Sequence, residues 1–206
     1  MNKHMQSETL PLQVSFGSGF LQDHAGHIMT DPRVAVIELI ANAYDAGAYN
    51  VDIEWPREKD EVLSITDDGI GMTKDEFMKR WGTLSYNRSQ EFGHNVIFPS
   101  KKKNINRVAF GRSGKGRHAA FCFGDSYTVE TWKDGVRTEW NVKMVDGGRE
   151  PFHWELLSEK KQDGQGTKIS IIATRRILPQ DELVVSFRIK PAQYLSLKRP
   201  IHNRAA

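Results

Sequence analysis

Glu38, Asn42 and Asp45 stand at i, i+4 and i+7 of a segment whose apolar residues also recur every three or four positions. On a helix, at about 100° per residue, the three share one polar stripe. Such a stripe is ordinarily the solvated side of a surface helix. A short amide between two carboxylates offers a different set: a base, a neutral oxygen ligand for a hard cation, and a second carboxylate. That set suits a magnesium–phosphate site, because magnesium prefers oxygen ligands and keeps several waters.

Three further stretches carry chemistry. In Asp67-x-Gly69-x-Gly71-Met72 a carboxylate at a strand end is placed to accept from an exocyclic amine, and the glycines let a planar ring approach the backbone. The same pattern also serves as an ordinary turn. Gly111-x-x-Gly114-x-Gly116, with Lys115 and Arg117 interleaved, exposes backbone N–H groups ahead of a helical stretch and adds two cations, which makes an anion cradle. It is not a Walker loop: Ala109 stands where that motif needs its first glycine, and Gly116 where Ser or Thr follows the lysine. It is not the dinucleotide fingerprint either, because the Gly-x-Gly pair comes last. Gly166-Thr167 opens an apolar strand, and alone says only that a strand begins.

The elements that must position these residues are legible in outline. Asp31-Pro32 reads as an N-cap with proline at the first helical position. Val34, Ile37, Ala41 and Tyr44 form the expected apolar stripe, and Gly47 closes the helix. Val51, Ile53 and Trp55 alternate as one strand, while Leu63, Ile65 and Asp67 share a face of the next. Thr73 caps a second helix bearing Phe77, Met78 and Trp81, with Glu76 completing a capping box.

Residues 82–107 show neither helical nor strand period, a length that in compact domains marks a functional loop or a disordered one. A helix is expected from the glycines at 111–116 to about Gly124. Lys133-Asp134-Gly135 reads as a hairpin turn between strands 127–132 and 136–142. Strands are also expected over 155–159 and 167–173, and a last helix from Pro179 and Asp181. The expected fold is α+β, a two-layer α/β sandwich with helices on one face of a mixed, mainly antiparallel sheet.

Composition sets the outer limits. The 206 residues are 38% hydrophobic and 27% charged, with a formal net charge of +3, so a globular domain is expected and no nucleic-acid partner is demanded. One cysteine, Cys122, excludes an internal disulfide framework. No stretch approaches the ~20 apolar residues of a membrane span, and a cytoplasmic location is expected. His24 and His27 have no cysteine or third histidine following at the short spacing that would complete a zinc site. Lys101, Lys102 and Lys103 are a solvated run or a weak DNA or phosphate contact. Trp132, Trp140 and Trp154 sit in strand patterns and are expected to pack the core or a sheet face.

Taken in order, the four stretches resemble the GHKL superfamily, the ATPases of gyrase, the ninety-kilodalton heat-shock chaperone, the histidine kinases and MutL. Glu38-Leu-Ile-Ala-Asn42-Ala-Tyr-Asp45-Ala46, Asp67-Asp-Gly69-Ile-Gly71-Met72, Gly111-Arg-Ser-Gly114-Lys-Gly116 and Gly166-Thr167 carry the resemblance, which spans about residues 30–173. It is nearest to the chaperone, MutL and MORC branch. It implies a Bergerat-type ATP-binding fold over 31–190 with a lid at about 82–117, a lead-in over 1–30 and a tail or linker over 191–206.

By that resemblance Glu38 is the general base, Asn42 ligates Mg2+, and Asp45 supports the nucleotide side of the pocket. Asp67 accepts from the adenine amino group, helped through water by Thr167, and Gly69, Gly71 and Met72 line the base pocket. Gly111, Gly114, Lys115, Gly116 and Arg117 wrap the phosphates; Lys115 departs from the family's usual apolar residue. The implied activity is slow magnesium-dependent ATP hydrolysis, with lid closure and a nucleotide-dependent homodimer. A dimer clamp with little hydrolysis of its own is the second reading, and a histidine kinase catalytic domain the third.

Overall fold

The computed structural model describes residues 30–83, 93, 95–99, 107–110, 116–145, 152–179 and 182, and the backbone of 195–198. Helix α1 (Pro32–Asp45) is followed by strands β1 (Val51–Glu54) and β2 (Val62–Asp67), then by helix α2 (Lys74–Trp81). A 3-10 helix (Gly116–Cys122) precedes β3 (Ser126–Lys133), β4 (Val136–Met144), β5 (Phe152–Lys161), β6 (Gly166–Ile172) and β7 (Leu195–Lys198). The sheet order is β5-β4-β3-β6-β2-β1-β7. Every neighbouring pair is antiparallel except β1 and β7, which run parallel. The α+β sandwich on a mixed, mainly antiparallel sheet is therefore the observed architecture.

Local chemistry sets the helix ends as expected. Asp31 caps α1 by accepting the Arg33 N–H, and Pro32 occupies the first turn. Thr73 and Glu76 form both bonds of the capping box on α2. Glu76 also binds Lys133 Nζ at 2.7 Å, joining α2 to the end of β3. The β3–β4 connection is the two-residue Asp134-Gly135 turn, with φ of 53° and 81°.

The buried face of α1 corrects one expectation. Ala35, Val36, Leu39 and Ala43 face the core and Ala41 of the expected stripe is also buried, whereas Val34 and Ile37 are half-buried and Tyr44 is exposed. This helix is apolar on both flanks of its polar stripe, so three- and four-residue spacing fits either flank. The sheet takes the one carrying Leu39. The stretch after Gly116 is also 3-10 rather than α-helical, and its last carbonyls are claimed from outside. Arg175 Nη2 donates to Phe121 O at 2.9 Å and Arg176 Nη1 to Cys122 O at 3.0 Å.

The core lies between these helices and the inner face of the sheet, where Leu63, Ile65, Val129, Trp140, Val142, Ile169 and Ile171 alternate inward. Phe77 on α2 stacks on Trp140 of β4 at 4.4 Å and on Trp81 at 4.7 Å. Trp154 packs partly buried against this core, and Trp132 lies half-buried over Gly166. Of the last helix expected from Pro179 only Pro179 and Glu182 are among the described residues, and the two early histidines and most of the 82–107 stretch lie outside them.

Phe77 is fully buried between two tryptophans. Phe77→Ala is expected to cost about 3–5 kcal/mol, measured as a lower urea midpoint with unchanged slope.

Candidate functional site

Asp67 ends β2 on its inward face, in register with Thr167 of β6, and Thr167 is in register with Thr131 of β3. Inward side chains of neighbouring strands stand beside one another, so the three make a polar row across the otherwise apolar inner face. All three are buried. The backbone N–H groups of Gly69 and Thr167 hydrogen-bond to the Asp67 carboxylate, the first at 2.8 Å. Burial nonetheless dominates and pushes the Asp67 carboxyl up to about 7, with the neighbouring Asp68 charge adding to the rise.

The glycine turn after Asp67 is shaped by contact. Gly71 has φ of +59°, and a side chain there would run into Trp132 O, so only glycine closes the turn against β3. A Cβ at Gly69 would overlap both Asp67 Oδ1 and Ala46 at the end of α1. Ile70 N donates to Ala46 O at 2.8 Å. Asp68 accepts from Tyr49 N, Asn50 N and Asn50 Nδ2. The turn is thereby fastened to the C-terminal end of α1. Met72 is buried, and its N–H donates to Thr131 Oγ1 at 2.8 Å.

The polar stripe of α1 runs from this turn to the 3-10 helix. Asn42 is half-buried between Glu38 and Asp45 on the same side. Glu38 lies against Gly116, where a Cβ would overlap its Oε2. Asp45 is buried, and its Oδ1 accepts the Phe110 N–H at 2.7 Å. At 1.5 Å per residue, Glu38 and Ala46 are separated by about 12 Å along the helix. That length sets the Asp67 turn near one end of the α1 stripe and the 3-10 entry near the other.

Of the expected cradle, Gly116 and Arg117 are placed: both are buried at the start of the 3-10 helix. Arg117 acts electrostatically on the Tyr127 hydroxyl. Gly111, Gly114 and Lys115, like Lys101, Lys102 and Lys103, lie outside the described residues. Sequence reasoning missed three participants. Asp68 was visible as the second carboxylate of the turn. Thr131 was visible as a polar residue on the face that carries Tyr127 and Val129.

Arg107 gave no signal. Its guanidinium donates to Tyr44 O and to Ala48 O at 2.9 Å, and lies over the rings of Tyr44 and Phe98. With the Asn95–Val108 bridge and the packing of Ile97 on Gly47, it fastens two pieces of the 95–110 stretch to the end of α1.

Among the described residues no three or more of His, Cys, Asp and Glu gather to hold a metal ion. One amide oxygen and one nearby carboxylate fit a magnesium ion carried mainly by phosphate oxygens and water, not a resident metal. Among the described residues no helix is long and apolar enough to cross a membrane.

Comparison with known proteins gives a consistent relationship. The family model described as histidine kinase-, DNA gyrase B-, and HSP90-like ATPase matches residues 29–171. Chaperone protein HtpG of Polaromonas naphthalenivorans (strain CJ2) is 28% identical over 182 residues, covering 80% of this chain and 28% of the relative. HtpG of Paraburkholderia xenovorans (strain LB400) is 26% identical over 180 residues, covering 79% and 27%. The chain thus spans less than a third of the length of these relatives.

The raised Asp67 carboxyl has a signed consequence. The folded state holds that proton more tightly than the unfolded chain, so the contribution is fully present below about pH 4 and is lost as pH rises to about 7. Asp67→Asn keeps the oxygen that accepts Gly69 N–H and removes the titration. The stability difference between wild type and variant is expected to shift by on the order of 4 kcal/mol between pH 4 and 7, against wild type, and to level off above. Urea unfolding of both proteins across that range measures it.

Proposed function

Because the chain belongs to the histidine kinase-, DNA gyrase B-, and HSP90-like ATPases, we propose that its cleft binds magnesium-ATP and hydrolyses it slowly. The observation that carries this reading is a buried carboxylate, Asp67, whose glycine turn is fastened at Ala46 to the end of the helix that bears Glu38, Asn42 and Asp45. A buried carboxylate whose protein partners are backbone N–H groups gains from one more donor, and an adenine amino group supplies it. Gly71 and Met72 form the wall against which the base lies, and Thr167 stands beside Asp67 at the base edge.

The other end of the stripe is suited to the phosphates. Gly116 puts backbone, with no side chain between, directly against Glu38. A carboxylate there is placed to orient and deprotonate a water attacking a terminal phosphate, the role proposed for Glu38. Asn42 offers the amide oxygen for magnesium, which when bound neutralises phosphate charge. Asp45 holds the backbone of Phe110, so its part is to position the return of the 95–110 stretch. Self-association on nucleotide binding, implied by the family, completes the proposal.

The two ends of the cleft are expected to fail differently. Asp67→Asn weakens ATP binding by 10-fold or more in isothermal titration. Glu38→Ala leaves ATP affinity within about threefold and lowers turnover by about 10²-fold. A Glu38→Ala protein with full turnover would remove the general-base role. Unchanged mass by light scattering with a non-hydrolysable ATP analogue would remove self-association.

A further inference from the structure

We infer that Thr131 is a positioning residue that sets the base selectivity of the cleft by fixing which way the Thr167 hydroxyl points. The inference rests on the nucleotide reading above and names what decides between bases within it. Thr131 is fully buried on β3, on the face that carries Tyr127 and Val129. Its Oγ1 accepts the Met72 N–H at 2.8 Å, lies 3.2 Å from Gly166 O, and lies 3.4 Å from Thr167 Oγ1.

A threonine hydroxyl has one hydrogen and two lone pairs. Gly166 O can only accept, so the Thr131 hydrogen goes to it. One Thr131 lone pair takes the Met72 N–H, and the other is left for Thr167. Between the two hydroxyls Thr167 is then the donor, its hydrogen directed along the row toward β3. What Thr167 turns toward the cleft is therefore lone pairs, beside a carboxylate that also accepts.

Two adjacent acceptors favour a base edge bearing an exocyclic amine, directly or through a shared water. They disfavour a base with a carbonyl at the same position, which meets acceptor against acceptor. Thr131 touches no ligand in this scheme. It acts through the Thr167 hydrogen and through the Met72 N–H, which holds the glycine turn in place. Removing its hydroxyl frees Thr167 to rotate and donate to a carbonyl.

The test is the ratio of ATP to inosine triphosphate affinity, whose bases differ by a 6-oxo group in place of the 6-amine and the N1 proton that goes with it, by titration calorimetry with magnesium. Wild type is expected to favour ATP. Thr131→Val is expected to lower the ratio about 10-fold, mostly by gained affinity for inosine triphosphate relative to ATP. Thr131→Ser, which keeps the hydroxyl and loses only the methyl, is expected to hold the wild-type ratio. A general loosening of the fold would weaken both nucleotides together and leave the ratio unmoved.

Thermal melts establish that each variant is folded. Wild type that binds neither nucleotide overturns the nucleotide reading and this inference with it. Wild type that binds both equally, a folded Thr131→Val with an unchanged ratio, or a folded Thr131→Ser with a collapsed one overturns the role of Thr131 alone.

Discussion

The burial of one carboxylate constrains most of what surrounds it. Asp67 lies inside the sheet–helix interface, where an ionised group loses its hydration and is compensated by two backbone N–H groups. Its carboxyl consequently titrates near 7 instead of near 4. A group that costly persists only where neighbours hold it firmly and where a donor from outside offsets the cost. Both conditions bear on the architecture. The turn after Asp67 is held by Gly71 against β3, by Ile70 and Asp68 against the end of α1, and by Met72 against Thr131. In the proposed reading, the base amine supplies the outside donor, and no reorganisation is needed when it arrives, because the acceptors are already fixed.

The C-terminal end of α1 is where these restraints meet. Gly47, with φ of +76°, ends the helix and lets the backbone of Ile97 pack where a side chain would stand. Ala46 O takes Ile70 N–H, Asp45 takes Phe110 N–H, and Tyr44 O and Ala48 O take Arg107. Carbonyls at and just past a helix end lack intrahelical partners, and here those of Tyr44, Ala46 and Ala48, with the Asp45 carboxylate, are attachment points for two chain segments from elsewhere in the sequence. One helix end therefore couples the Asp67 turn to the 95–110 stretch.

How much of this could be read from residue order follows from the range of the forces involved. Caps, the capping box, the Asp134-Gly135 turn and the alternation of Leu63, Ile65 and Asp67 are local, and each is present as expected. The cleft wall was legible too, since Glu38, Asn42 and Asp45 share a stripe by helical geometry alone. The buried flank of α1 was not, because Val34 and Ile37 on one side are as apolar as Leu39 and Ala43 on the other; the sheet's position decides it. Arg107 was invisible because its partners, Tyr44 and Ala48 carbonyls, lie about sixty residues away and carry no side-chain signature. Thr131 was legible only as an anomaly, a hydroxyl in an inward-facing row, whose meaning depends on the register of β3 with β6.

That register gives β6 a place in the site beyond supplying Thr167. Between β3 and β2 it is central in the sheet, and its first residues present Gly166 O to Thr131 and Thr167 to Asp67. Directly past its other end, Thr174 N and Arg175 N donate to Phe123 O, and Arg175 and Arg176 cap the carbonyls of the 3-10 helix. Arg176 adopts φ of +58° at this point, a left-handed conformation that disfavours any residue with a Cβ, and its guanidinium donates to Cys122 O. The strand thus runs from the Asp67–Thr167–Thr131 row to the C-terminal end of the 3-10 helix whose first residue meets Glu38. Since strand side chains alternate faces, a one-residue slip of β6 would turn Thr167 outward and at the same time pull both arginines off their carbonyls. One strand therefore ties the polar row at its first residues to the 3-10 helix at its last.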